Sequence, residues 1–110
     1  MTSRDQIPPG TLDMLILRTL AVRGELHGFE IADAIEQRSA SVLQVEEGSL
    51  YPALQRLLMN GYVVAEWGRT AENRRARYYK LTAAGRRQLE SELAAYERVS
   101  SAIARVLRLA

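Results

Sequence analysis

The 110-residue sequence contains no cysteine, one histidine (His27), one tryptophan (Trp67) and one phenylalanine (Phe29). Without cysteine there is no disulfide framework, no thiolate nucleophile and no Cys-ligated zinc or iron–sulfur site. A metal centre would depend on carboxylates around a single imidazole, so no metal is expected. No Gly-rich nucleotide loop appears, Ser49 has no partner base in its sequence context, and the carboxylates fall on the polar faces of short helices. Catalytic residues and cofactors are therefore not expected. No stretch approaches the roughly 20 apolar residues of a membrane span, and "MTSRDQIPPG" lacks the basic-then-apolar run of a signal peptide. These absences predict a cytoplasmic protein with no membrane partner. No internal repeat or low-complexity linker is present, so the parts should pack as one unit.

What is present is an ordinary globular composition, 47% hydrophobic and 25% charged, with a lopsided charge distribution. Residues 1–47 hold four arginines against eight carboxylates, a net of −4, and residues 48–110 hold ten arginines and one lysine against five glutamates, a net of +6. From Arg69 to Arg87 there are six arginines and one lysine against Glu72 alone. A polyanion is the partner such a stretch calls for, and a solvated charged surface is the bland alternative.

Hydrophobic periodicity predicts three helices in the first half. After the turn in "IPPG", Thr11 offers a cap to a helix with two apolar stripes: Leu12, Leu15, Ile16 and Leu20 on one side, Met14, Leu17 and Ala21 on the other. "RGELHG" breaks it, and "FEIADAIEQRS" restarts as a short amphipathic helix with Glu30, Asp33 and Glu36 on its polar face. The third helix carries Leu50, Ala53, Leu54, Leu57 and Leu58 in one stripe and ends at Asn60-Gly61. Pro52 lacks a backbone donor, which places it in or just after the first turn, with a helix start near Glu46 to Ser49.

"YVVAEW" and "RYYKLT" then predict a β-hairpin around the basic tip "GRTAENRRA", with Trp67 expected to anchor the hairpin on the core. From the N-cap Thr82 a final helix should run to the chain end. Its Leu89, Leu93, Tyr96, Ser100, Ile103 and Leu107 are spaced 4, 3, 4, 3, 4, a heptad seam widened by Val99 and Val106. A helix with this much apolar face should pair with a second copy.

The order is that of a mainly α (α+β) winged helix-turn-helix, with a two-stranded wing and a long C-terminal helix. Residues 1–82 would form the DNA-binding domain and residues 83–110 the dimerisation helix. Spare N–H donors at the start of the third helix suit phosphate. The candidate DNA contacts are Gly48, Ser49, Tyr51, Pro52, Gln55 and Arg56 on that helix, and Arg69, Arg74, Arg75, Arg77 and Tyr78 in or beside the wing. A half-buried Tyr51 at the core margin and a solvated Arg56 remain the alternatives. The candidate dimer interface is Leu89, Leu93, Tyr96, Val99, Ile103, Val106 and Leu107. A rival from another class is a winged-helix module binding protein through its leucine-rich third helix and terminal helix. The basic wing favours double-stranded DNA over that rival.

"EEGSLYPALQRLLMNGYV", "RRARYYKLTAAGR" and "LHGFEIADAI" together resemble the PadR family of bacterial transcriptional regulators, over about Thr11 to Arg87. The resemblance implies a homodimeric winged-helix repressor that binds a palindromic operator and is released by a small molecule. It places Ser49, Tyr51 and Arg56 on the recognition helix and Arg74, Arg75, Arg77 and Tyr78 in or beside the wing. The single terminal helix matches the short subfamily, some of whose members bind planar hydrophobic drugs between paired terminal helices. By that likeness a small planar hydrophobic or phenolic effector would meet Tyr96, with Met14 and Val99 as walls. A seam-packing role for Tyr96 stands beside it.

Overall fold

Asp5–Gln6 (β1) pairs in parallel with Leu43–Gln44 (β3), tying the start of the chain to the loop before the third helix. This short ladder had no signal in the sequence pattern, since two-residue strands leave no periodicity to read. The computed structural model describes residues 5–108.

Leu12–Arg23 forms α1, Gly28–Arg38 forms α2 and Glu47–Met59 forms α3. Both expected stripes of α1 are covered: Ile16, Leu17 and Leu20 are fully inside, and Met14 is buried beside them. Thr11 occupies the N-cap position of α1, but its hydroxyl donates to the Pro8 carbonyl at 2.7 Å instead of accepting a helix N–H. His27 caps α2 in its place in the chain: its Nδ1 accepts from Glu30 N, and the Glu30 carboxylate accepts from His27 N at 3.1 Å. Glu36 leaves the expected solvated row, because its Oε2 accepts from Val45 N at 3.0 Å and steers the chain into α3.

Asn60-Gly61 ends α3 as expected. Gly61 takes φ +75°, with Gly61 N donating to Leu58 O and Tyr62 N to Leu57 O, which satisfies carbonyls of the last turn. The hairpin follows as Val63–Arg69 (β4) and Arg75–Leu81 (β5), longer than expected by the basic residues at its tip. Leu26–His27 (β2), inside the segment read as a breaker, adds a third strand, giving the order β2-β5-β4.

Ala83–Leu107 forms α4, capped by Thr82, whose Oγ1 accepts from Gly85 N at 3.0 Å and donates to Gly61 O at 2.7 Å. Helix thus stops at Leu107, and its expected continuation over residues 109–110 lies outside the described residues. A Cβ on Gly85 would collide with the Tyr62 carbonyl, so glycine lets α4 start flush against the end of α3. Leucines and isoleucines of α1, α2 and α3, with Val63, Tyr79 and Leu89, form one core. Four helices and a small antiparallel sheet make this the expected winged helix-turn-helix with a long C-terminal helix. The molecule extends over 56 × 38 × 22 Å, elongated by α4, which at 25 residues is about 37 Å long. Among the described residues no helix is long and apolar enough to cross a membrane.

Candidate nucleic-acid interface

The exposed side of α3 carries two rows set by helical spacing: Gly48, Tyr51, Gln55 and Met59 in one, Ser49, Pro52 and Arg56 in the other. Pro52 is the sixth residue of α3, just after its first turn as expected, though beyond the orphan donors themselves. Its missing N–H deprives the Gly48 carbonyl of its i+4 donor. Gly48 is exposed, with open space where a Cβ would stand, so water can serve that carbonyl.

The N-terminus of α3 is less suited to phosphate than expected. Glu46 is its N-cap without a side-chain capping bond, and Glu47 opens its first turn. Both carboxylates are exposed there and oppose an incoming anion. The exposed cations lie instead on the wing. Tyr51 is 51% exposed, and its ring lies across Gly28, the first residue of α2, where a Cβ would stand 3.1 Å from the phenolic oxygen. Tyr51 is thus seated at the helix junction with one side open.

Strand register sorts the wing by face. Val63 opposite Leu81 and Ala65 opposite Tyr79 begin a face that is core at its base. The same face continues outward as Trp67 opposite Arg77 and Arg69 opposite Arg75. Trp67 does not anchor the hairpin on the core: it is 60% exposed, with the Arg75 guanidinium 4.3 Å above its ring and that of Arg77 at 6.0 Å. A cation on the face of an indole is attracted by its quadrupole, so Trp67 holds arginines in place. Arg69 donates to the Asn73 carbonyl at 3.1 Å, across a tight tip in which Asn73 takes φ +63°. Arg74 is exposed in that tip.

Tyr78 belongs to the other face. Its ring covers Gly68 and meets His27 edge-on at 5.3 Å, and its hydroxyl donates to the Arg69 carbonyl at 3.1 Å. Its placement makes Tyr78 a brace for the wing rather than a group aimed with the arginines. Below it in the sheet Tyr79 is buried, and desolvation chiefly pushes its phenol pKa upward.

A groove of about 560 Å³ separates the inner wing face from the helices, with Arg74, Arg75, Arg77 and Trp67 on one side and Tyr51, Gly28 and Phe29 on the other. Phe29 and Trp67 complete this surface and were not among the candidates. Phe29 precedes the apolar stripe of α2 and shows no signal of its own, and an unpaired Trp67 in a strand reads as core. Ser49, Gly48, Pro52 and Arg56 face away from this groove, lining a second crevice of about 390 Å³ with Ile7, Pro8 and Pro9. Arg56 is engaged there: its Nη2 donates to Asp13 Oδ1 at 2.8 Å, and its Nε lies 3.5 Å from Asp13 Oδ2. That hydrogen bond first, and the Asp13 charge second, raise the Arg56 pKa, so it is cationic at every working pH.

On α4 the candidate seam divides. Leu89 is 4% exposed and belongs to the core of the chain itself, and Leu93 packs against that core. Met14 is likewise buried in that core and leaves no surface to wall a cleft. Tyr96, Val99, Ile103, Val106 and Leu107 stand out in solvent, Leu107 at 78% exposure.

Comparison with known proteins decides what this scaffold is. Residues 16–91 match the model of the transcriptional regulator PadR-like family. The chain belongs to that family. It is 34% identical over 90 residues to an uncharacterized protein from Lysinibacillus sphaericus, covering 82% of this chain and 81% of the relative. Among solved structures, it is similar to a transcriptional regulator from Clostridium thermocellum, with a TM-score of 0.78 and 28% identity, covering 87% of this chain and 92% of that one. A PadR family transcriptional regulator from Eggerthella lenta aligns with a TM-score of 0.77 and 26% identity over 92% of this chain and 85% of that one. Bacillus subtilis PadR, solved in complex with operator DNA, shares the fold at a TM-score of 0.67 and 24% identity, over 78% of this chain and 48% of that one. This PadR-like protein is accordingly a regulator of transcription, not an enzyme.

Proposed function

We propose that the protein is a homodimeric repressor that binds a palindromic operator in double-stranded DNA. The observation that carries this reading is the meeting of Tyr51 of α3 with Trp67, Arg75 and Arg77 of the wing over one groove. An α-helix in the major groove supplies base contacts, and guanidinium forks beside it match phosphate geometry. Gly48, Ser49, Tyr51, Pro52, Gln55 and Arg56 form the recognition helix surface, and Arg69, Arg74, Arg75 and Arg77 the phosphate-tracking wing. Residues 1–82 serve DNA and residues 83–110 pair the chains.

Pairing is supported by the row from Tyr96 to Leu107, which the protomer leaves uncovered. Through it the dimer presents two α3 helices about one DNA turn, roughly 34 Å, apart. A small planar hydrophobic or phenolic effector entering between the two α4 helices, against Tyr96 and Val99, would alter that separation. Fixed groove spacing then weakens binding.

Selection of bound genomic fragments, followed by footprinting, tests the reading. A protected palindrome with half-sites one helical turn apart is expected. Uniform protection without a defined site would reduce the protein to a DNA-coating role, and no complex at moderate salt would leave a protein-binding module instead.

A further inference from the structure

We propose that Asp13 is a positioning residue for DNA recognition, holding one edge of the Arg56 guanidinium so that the other edge reads a base. The inference rests on the operator-binding reading above.

The two Asp13 oxygens take the side of the guanidinium that carries Nε and one Nη2 hydrogen. The opposite edge, formed by Nη1 and the remaining Nη2 hydrogen, keeps two parallel donors. Such a pair matches O6 and N7 of guanine, or two phosphate oxygens. The charge of Asp13 decides between them. Arg56 and Asp13 together are neutral, so the pair gains little from a phosphate, which the carboxylate repels. Guanine offers uncharged acceptors and carries no such penalty. In its crevice Arg56 thus differs from the wing arginines, which lie on Trp67 or at the hairpin tip with no carboxylate partner among the described residues.

The support behind the pair is rigid. Asp13 is flanked on α1 by buried Met14, Ile16 and Leu17, and Arg56 on α3 by buried Ala53 and Leu57. An arginine held this way surrenders little side-chain freedom on binding, which favours contacts demanding one geometry. A stabilising role alone is a weak account of the pair. Side-chain exposures of 56% for Arg56 and 29% for Asp13 place it among surface ion pairs that contribute little to folding.

The test measures dissociation constants for a selected operator and a scrambled duplex over a salt series, using wild type, D13N, D13E, R56A and the D13N/R56A double variant. R56A should lower the operator-over-scrambled ratio about tenfold while leaving the salt slope unchanged. D13N should lower the ratio by a similar factor, bind scrambled DNA more tightly and steepen the slope by about one, because a free guanidinium then takes a phosphate. D13E should restore part of the ratio, and D13N should change nothing in the ratio when Arg56 is already absent. A ratio and slope within twofold of wild type in D13N overturn the proposal. So does a large fall in thermal midpoint with the ratio kept, which leaves only a structural tie. A wild-type protein with no preference for any operator fails earlier, at the operator-binding reading itself.

Discussion

The Arg75 guanidinium lies 4.3 Å above the ring of Trp67, and Arg69 stands directly opposite Arg75 across the hairpin. Like charges on facing strand positions repel. Stacking on the indole draws Arg75 toward Trp67, and Arg69 is satisfied by the Asn73 carbonyl. The wing is thus a cationic surface whose arginines are held in place, at the cost of an exposed tryptophan.

Because Trp67 is the only tryptophan, its fluorescence reports the wing alone. Titration with duplex DNA should change its intensity or emission maximum, and an unchanged spectrum at saturation would remove the wing from the interface. Trp67→Ala should weaken binding to every duplex by about two- to fivefold, the value of an exposed cation–π contact. Its thermal midpoint should stay close to wild type, since a side chain this exposed contributes little to the core.

Gly28→Ala separates the site from the fold. The new methyl would meet Tyr51 at 3.1 Å from the oxygen and 3.2 Å from Cε1, and a half-exposed ring can swing away. The variant should keep its melting temperature and lose operator affinity to about the extent that Tyr51→Ala does. In a Tyr51→Ala background the same change should leave binding unaltered, a double-mutant cycle that gel shifts can complete.

Periodicity carried most of the fold, and it failed where residues answer to partners that no local pattern records. The stripes of α1 and α3, the Gly61 terminator and the Thr82 cap were legible because each depends on neighbours within a turn or two. Strand β2 was hidden, as its two residues acquire meaning only beside Tyr78 and Tyr79. Trp67 was assigned to the core because an indole in a strand usually is; an overhanging hairpin has no core beneath its outer half. Within the candidate interface, residue types were legible but not their directions. Tyr78 and Arg77 are adjacent in sequence and opposite in facing, and the tie of Arg56 to Asp13 spans 43 positions.

Gly85 admits no such relief as Gly28. A Cβ there would strike the Tyr62 carbonyl and crowd Leu81, and a backbone atom held by the α3 terminator cannot rotate aside. Gly85→Ala should destabilise by at least about 2 kcal/mol, lowering the thermal midpoint by roughly 10 °C in a domain of this size. Thr82→Ala, which removes the cap on Gly85 N and the bond to Gly61 O, should cost about 1 kcal/mol. Circular-dichroism melts of the two variants rank these effects, and a smaller loss for Gly85→Ala than for Thr82→Ala would contradict the packing argument.

The division of the α4 seam predicts opposite behaviour for two apolar positions on the same helix. Leu89 fills the protomer core, so Leu89→Glu should unfold the chain and abolish its cooperative melt. Ile103 is exposed in the protomer, so Ile103→Glu leaves the core intact and places two carboxylates where two copies would meet. Sedimentation at micromolar concentration should then find a folded monomer with a normal melting profile, and a shift toward monomer should also follow from Val99→Glu. Since two linked half-sites bind with the product of their local affinities, the monomer should lose operator affinity by at least about a hundredfold while keeping weak binding to a single half-site. A variant that stays dimeric with Glu at both positions would move the pairing surface elsewhere, most directly onto the open apolar groove between α1 and α2 lined by Leu15, Val22 and Ile35.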